Sequence, residues 1–272
     1  MRLLLVSSDK TIFFFIVAHM DDWQLFMNPN VSWELSNKRN KVVFIYTTGN
    51  DAGSDKSYWM ANEEAAISSV CFGKSDLLYL GGEREKVTIN NHVLHRWCGE
   101  NVVCYFLRLP DGNVTGNGFS SQGYQSLQKL YRRQISSIKT LDGSTIYHGW
   151  QDFVNSLQGI IDDEADGFSS IKVNHPETNK TINPGDHSDH RTTGLAVQAI
   201  PKYNQYNNFS YIGYYLRNYP VDLWGEDLFW KIAELTVYDK TLSDLTRYSI
   251  LKKSPIFFME YCFRAAKFRE LK

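Results

Sequence analysis

Hydrophobic residues fall in two kinds of run along this chain. Thr11 to Ala18, TIFFFIVA, is almost unbroken and carries no polar alternation, which predicts a strand buried on both faces, as in a parallel sheet covered by helices. Similar short runs near 41–48, 102–108, 168–174 and 211–216 predict further strands. Between them the apolar positions recur with helical spacing near 58–72, 126–138, 152–163, 188–200 and 227–237. Phe153, Val154, Leu157, Ile160 and Ile161 trace the cleanest stripe. Strands alternating with helices predict an α/β protein with a Rossmann-like, mostly parallel sheet and helices on both faces. In the 58–72 segment Glu63 falls on the same face as Trp59, Ala66, Ile67 and Val70, so its carboxylate needs a buried partner. From Phe257 to Lys272 aromatic and basic residues predict a terminal helix with its aromatic side on the core and its basic side in water.

At 272 residues and 43% hydrophobic content the chain can bury a sizeable core, and no Pro/Gly/Ser linker or repeat divides it. A single domain over 1–272 is expected. The net charge of −1 gives no electrostatic case for nucleic acid or an anionic membrane. No apolar run approaches the roughly 20 residues that span a bilayer, so no membrane insertion is expected. The amino terminus, MRLLLVSSDK, has no small-residue cleavage site and is not read as a signal peptide. Cys71, Cys98, Cys104 and Cys262 form no C-x-x-C pair, which fits a reducing compartment and a cytoplasmic location. No glycine-rich phosphate loop follows a strand, so a nucleotide cofactor has no support.

The chemistry concentrates in two segments, Ala18-His19-Met20-Asp21-Asp22 and His187-Ser188-Asp189-His190. The first follows the apolar strand, at the carboxyl end where open α/β sheets bind ligands. Its i,i+3 spacing lets one turn aim His19 and Asp22 at a single point while Asp21 projects differently, so one carboxylate can bind metal and its neighbour stay free. His187 and His190 share a face if a helix starts near His187. Two imidazoles and a carboxylate hold zinc with one position left for water, the arrangement of a catalytic rather than a structural site. His92, His95 and Cys98 also have ligand-like spacing, but no second cluster completes a closed site, and they are read as structural, as are His148 and His175.

The AHMDD and HSDH segments together resemble the LmbE/PIG-L family of zinc-dependent N-acetylglucosamine deacetylases, whose pattern is A-H-P-D-D followed far downstream by H-x-D-H. The likeness continues through Thr48 to Gly53, Tyr58-Trp59 with Glu63, Leu109 to Gly112, and Asp142 to Thr145. It implies His19, Asp22 and His190 as zinc ligands, Asp21 as general base, His187 as general acid, and Asp189 as a residue that tunes the second motif. Met20, Trp23 and Asn62 depart from the pattern, standing where the family has proline and often has glutamate and arginine. Without a guanidinium at Asn62, a neutral or cationic amino sugar is expected as substrate. Arg108 and Asp111 follow or end a strand at the same rim and are candidate substrate contacts, with Asp51 behind them.

The function expected is therefore a zinc hydrolase that removes an N-acetyl group from a small-molecule amino sugar or sugar conjugate. A metal-dependent hydratase or lyase on the same fold, and a carbohydrate-binding protein without catalysis, are the alternatives.

Overall fold

The structure, a computed structural model, describes residues 10–74 and 81–271. Its strands are β1 (Thr11–Val17), β2 (Lys41–Thr48), β3 (Glu83–Ile89), β4 (His92–Gly99), β5 (Val102–Leu109), β6 (Ser137–Lys139), β7 (Ile146–His148), β8 (Ser170–Pro176), β9 (Asn207–Tyr211) and β10 (Phe268–Leu271). Its α-helices are α1 (Asn30–Ser36), α2 (Lys56–Gly73), α3 (Leu127–Tyr131), α4 (Trp150–Glu164), α5 (Ser188–Gln198), α6 (Gly225–Thr246), α7 (Ile250–Lys253) and α8 (Pro255–Cys262).

Eight strands form one sheet in the order β10-β9-β8-β1-β2-β5-β4-β3, and β6 pairs with β7 in a small hairpin. From β9 through β8, β1 and β2 to β5 the pairings are parallel, and both edges are antiparallel. Side chains alternate across a strand, so the apolar run of β1 feeds two cores. Phe13, Phe15 and Val17 pack with α1, α2 and α6 on one face. Ile12, Phe14 and Ile16 pack with α3, α4 and α5 on the other. The fold is thus the α/β, mostly parallel sheet with helices on both faces that the sequence pattern predicts. Because β1 lies between β2 and β8, the chain leaves it in one direction and returns on the other side, which opens a crevice at the carboxyl end of β1. His19 to Asp22 begin there. Among the described residues, no helix is long and apolar enough to cross a membrane.

Several predicted elements differ. The 126–138 helix stops at Tyr131; the polar residues Arg132, Arg133 and Gln134 follow, Arg133 takes a left-handed φ of 57°, and the chain turns into β6. The strand expected at 211–216 lies at Asn207–Tyr211, and Gly213 leads into a 3-10 turn at Tyr214–Asn218. β3 carries Glu83, Arg84, Glu85 and Lys86, charges that suit an exposed edge and conceal its strand pattern. The terminal helix ends at Cys262. Beyond it β10 pairs with β9, because Phe268 stacks on Tyr211 at 5.2 Å and Arg269 reaches the buried Glu177 carboxylate at 2.5 and 3.0 Å.

A bulge near the end of β5 shapes the ground beneath the crevice. The register jumps from Tyr46↔Phe106 to Thr48↔Leu109, and the extra residue leaves Arg108 at a left-handed φ of 56°. Its guanidinium donates to both Glu63 oxygens at 2.7 and 2.9 Å and to Asp142 at 2.7 Å, and lies 4.9 Å from the Trp59 ring. Glu63 thus has the partner its position on the apolar face of α2 demands. Replacing Arg108 by methionine leaves that carboxylate buried, with only the more exposed Arg84 at 3.6 Å. The expected cost is about 3–5 kcal/mol, read from urea denaturation; a loss below about 1 kcal/mol contradicts the pairing's structural role.

Candidate metal centre

The turn after β1 is held by its own carboxylate. Thr48 on β2 donates its amide and its hydroxyl to the Ala18 carbonyl, at 3.1 and 2.8 Å. Asp22 Oδ2 accepts the amides of Ala18 and His19, at 3.0 and 2.8 Å. Both contacts are local, so the turn presets the other oxygen, Oδ1, toward the crevice. Trp23 to Met27 then form a buried π-helical turn, with Trp23 donating to the Tyr46 hydroxyl in the core. That burial is why tryptophan is accommodated at this position.

His190 comes from the opposite wall, on the first turn of α5. Its Nδ1 lies 3.0 Å from Asp186 Oδ1, and Asp186 is itself fixed by Asn183 Nδ2 at 2.8 Å and the Tyr214 amide at 3.0 Å. A Cβ on Gly213 would stand 2.5 Å from Asp186 Oδ1, so glycine is needed for this approach. The ring is thereby aimed with Nε2 toward the crevice. His19 Nδ1, Asp22 Oδ1 and His190 Nε2 then form a triangle with edges of 3.6, 3.0 and 3.2 Å. Tetrahedral ligands at roughly 2.0–2.2 Å from a zinc ion are separated by about 3.3–3.6 Å. Two of the three edges are shorter than that, so the donors converge on one point and would move apart by a few tenths of an ångström around an ion.

The other nitrogen of His19 faces a second group of donors. His19 Nε2 lies 3.5 Å from Asp189 Oδ2 and 3.9 Å from Asp111 Oδ2, and His187 Nε2 lies 3.9 Å from Asp111 Oδ1. Three polar atoms of this group have backbone partners, since Gly112 N donates to Asp189 Oδ2, Asn113 N to Asp111 Oδ1, and Asp189 N to His187 Nδ1, whereas among the described residues His19 Nε2 is buried without a hydrogen-bond partner. His19, Asp111, His187 and Asp189 also come within 4.8 Å of one another and could hold a cation, as could His19, His187 and His190. The first triangle has the shorter edges and, in Asp22 Oδ1, an oxygen with no backbone donor on it.

Charge in this crevice is strongly coupled. Burial alone would push the His190 imidazole down, but Asp22 and Asp186 outweigh it and hold the ring up at about 10. Burial works the same way on His19, where Asp22, Asp189 and Asp111 raise the ring above its ordinary value. The two rings meet at 3.2 Å between nitrogens, so only one can donate there. Burial disfavours a charged Asp22, yet His190 and His19 hold it well below the usual carboxylate range. Asp21 goes the other way: burial, helped by the charge of Asp22, raises it to about 6. Burial and the charge on His19 lower His187 to about 3. Carboxylates on all sides favour positive charge at the centre, which is what a divalent cation supplies.

Of the predicted site residues, His19, Asp21, Asp22, Asp111 and His187 line one cavity of about 220 Å³ together with Asn50, Phe119, Tyr214 and Phe257. His190 and Asp189 are buried directly behind its wall, in contact with His19. Arg108 is not there: the bulge turns it toward α2, where Glu63 and Asp142 engage it, so the expectation of a substrate contact is corrected. Asp51 accepts the amides of Asp111 and Gly53 and acts as a turn former. Asn62 is fully buried, pairs with the Tyr238 hydroxyl and contacts Asn50, so the lining residue is Asn50 and Asn62 supports it. His92 pairs with Asp152, His95 with Asp142, and His175 with Tyr203, as structural histidines do. Sequence reasoning missed Asp186, although its i,i+4 spacing to His190 is the available signal; Tyr214 and Phe257 carried none.

No protein-family model matches the chain, and no curated protein matches it in sequence. Its fold is shared with solved deacetylases. A deacetylase triple mutant (Orf2*T) of the teicoplanin biosynthetic pathway is similar at a TM-score of 0.52 and 10% identity, over 97% of this chain and 99% of that one. A deacetylase-bog complex from the biosynthesis pathway of teicoplanin is similar at a TM-score of 0.52 and 10% identity, over 92% and 89%. At such identity the likeness is one of fold, and it agrees with the fold implied by the resemblance to LmbE/PIG-L deacetylases.

Metal binding here must displace the proton that His190 holds, so affinity rises with pH, by about tenfold per unit for one proton released. Chelator competition with zinc between pH 6 and 8 should show that slope, and a flat response contradicts it. Asp186→Ala should weaken zinc by about 10–100-fold through the loss of ring orientation.

Proposed function

We propose that this chain is a zinc-dependent deacetylase that removes the acetyl group from an N-acetylated amino sugar. The observation that carries the reading is the juxtaposition of Asp21 and His187, which line the cavity and are not needed to hold the ion, with the His19, Asp22 and His190 donor triangle at its wall. Two imidazoles and a carboxylate suit zinc and leave a coordination position open. Bound there, the ion acidifies water and polarises a carbonyl group.

The remaining steps belong to the chain's own residues. Asp21, a cavity carboxylate raised to about 6, is ionised at neutral pH yet basic enough to accept a proton from the attacking water. As the carbon–oxygen bond forms and the carbon–nitrogen bond breaks, the same carboxyl returns that proton to the departing amine. His187 was expected to be this acid, but Asp189 N donates to its Nδ1 and its imidazole is held down at about 3. The ring is therefore neutral, with Nε2–H its free donor, and it stabilises the negative charge that develops on the carbonyl oxygen. Positive charge at the donor triangle depresses its protonation further. Asp189 stands behind His19, 3.5 Å from its Nε2.

Asp21→Asn should retain the zinc content of the parent while kcat falls by about 10²–10⁴, with acetate or amine release as readout. In the parent, kcat/KM should fall on the acidic side as Asp21 is protonated, because protonation removes the acceptor, and this acidic limb should be absent in the variant. Parental turnover in Asp21→Asn contradicts the assignment.

A further inference from the structure

Helix α6 carries Lys231 and Glu234, opposite ionisable side chains one turn apart, and both are fully buried. Burial lowers the Lys231 ammonium to about 7 and raises the Glu234 carboxyl to about 7, so neither is a comfortable charge in this place. Packing alone would be served as well by apolar residues of similar volume, because a buried charged pair seldom adds net stability. What the two side chains add is direction, and both are directed at one segment.

That segment is the π-helical turn Trp23–Met27, which continues from Asp22. Turns of this kind are rare and short, so this one depends on support from outside itself. Lys231 Nζ donates to the Leu25 carbonyl at 2.8 Å, in the middle of the turn, and the Leu25 amide reaches back to the Asp21 carbonyl at 3.2 Å. Just past the turn, Asn28 Nδ2 donates to Glu234 Oε2 at 2.5 Å, and Ser32 Oγ donates to the same oxygen at 2.8 Å. The Ser69 hydroxyl on α2 accepts from Gln24 Nε2 at 3.1 Å and donates to the Glu234 carbonyl at 2.9 Å. None of Lys231, Glu234 and Ser69 lines the cavity, but the segment they hold does, through Leu25 and Phe26, and the Phe26 ring lies 5.6 Å from that of His190. Lys231 Nζ also donates to the Arg264 carbonyl at 2.8 Å, two residues beyond α8, whose Phe257 lines the cavity as well. One buried amine therefore joins two of the cavity's walls.

We infer that Lys231 and Glu234 are positioning residues of the metal centre: gripping the π-helical turn from α6, they hold Asp21, Asp22 and Phe26 in place against His190 before an ion binds. This rests on the zinc-deacetylase reading of the site and adds what keeps its donors aligned. Lys231→Met, which keeps the length of the side chain, and Glu234→Leu should each raise the zinc Kd by at least about tenfold. Both should also alter the visible absorption bands of cobalt-substituted protein, which report ligand geometry. Glu234→Gln keeps an acceptor for Asn28 and Ser32 and should match the parent in both readouts. So should Leu157→Ala, a truncation in the core on the other face of the sheet, since it lowers stability without touching the turn. Parental zinc affinity and cobalt bands in both Lys231→Met and Glu234→Leu overturn the assignment, whatever their Tm. Should neither variant fold, the metal-free parent decides: amide hydrogen exchange over residues 21–28 should be as slow as in α6, and fast exchange there that only zinc suppresses overturns the assignment. Turnover is not among these readouts. The expected metal binding and exchange without deacetylation of N-acetylglucosamine or its glycosides by the parent keep the positioning role and remove the deacetylase reading, whereas deacetylation with parental metal binding in both variants does the reverse.

Discussion

One oxygen of Asp22 is fixed by two backbone amides, and that constraint aims everything else at the metal centre. Oδ2 is held by Ala18 and His19 at 3.0 and 2.8 Å, so Oδ1 is left facing His190 Nε2 at 3.0 Å. A charge-assisted contact of this kind at a strand end sets a side chain's direction without any help from distant packing. The opposing ring is set as firmly, by Asp186, which Asn183 and the Tyr214 amide fix in turn. Two short segments far apart in sequence thus present their donors on one triangle because the sheet places β1 next to β8, and the loop from β8 leads into α5.

The same crevice separates its carboxylates by environment. Asp21 and Asp22 are adjacent, yet His190 and His19 draw Asp22 down while burial and Asp22's own charge push Asp21 up to about 6. In the proposed reaction this difference divides holding the ion from proton transfer. His187 is lowered to about 3 by burial and the charge on His19.

The sequence made the central sheet and the metal motifs legible because both are local signals. TIFFFIVA announces a doubly buried strand, and the i,i+3 spacing in each motif announces donors that converge. What it concealed depends on contacts between distant residues. Arg108 looked like a rim residue, but a one-residue bulge in β5 turned its side chain to Glu63. Asn62 looked like a specificity position, but it lies under Asn50. The carboxyl-terminal segment read as a helix, since its aromatic and basic residues fit a helical face, whereas Glu177, just past β8, and Tyr211 on β9 draw Arg269 and Phe268 into β10. Charges along β3 hid an edge strand for the same reason that they protect it.

His19 offers one nitrogen to each of two donor groups, so the location of the ion is the most direct test of this account. Anomalous diffraction from zinc-loaded crystals should place a single strong peak among His19 Nδ1, Asp22 Oδ1 and His190 Nε2, at about 2.0–2.2 Å from each. A peak instead among His19 Nε2, Asp111, His187 and Asp189, a different group within 4.8 Å, would contradict it.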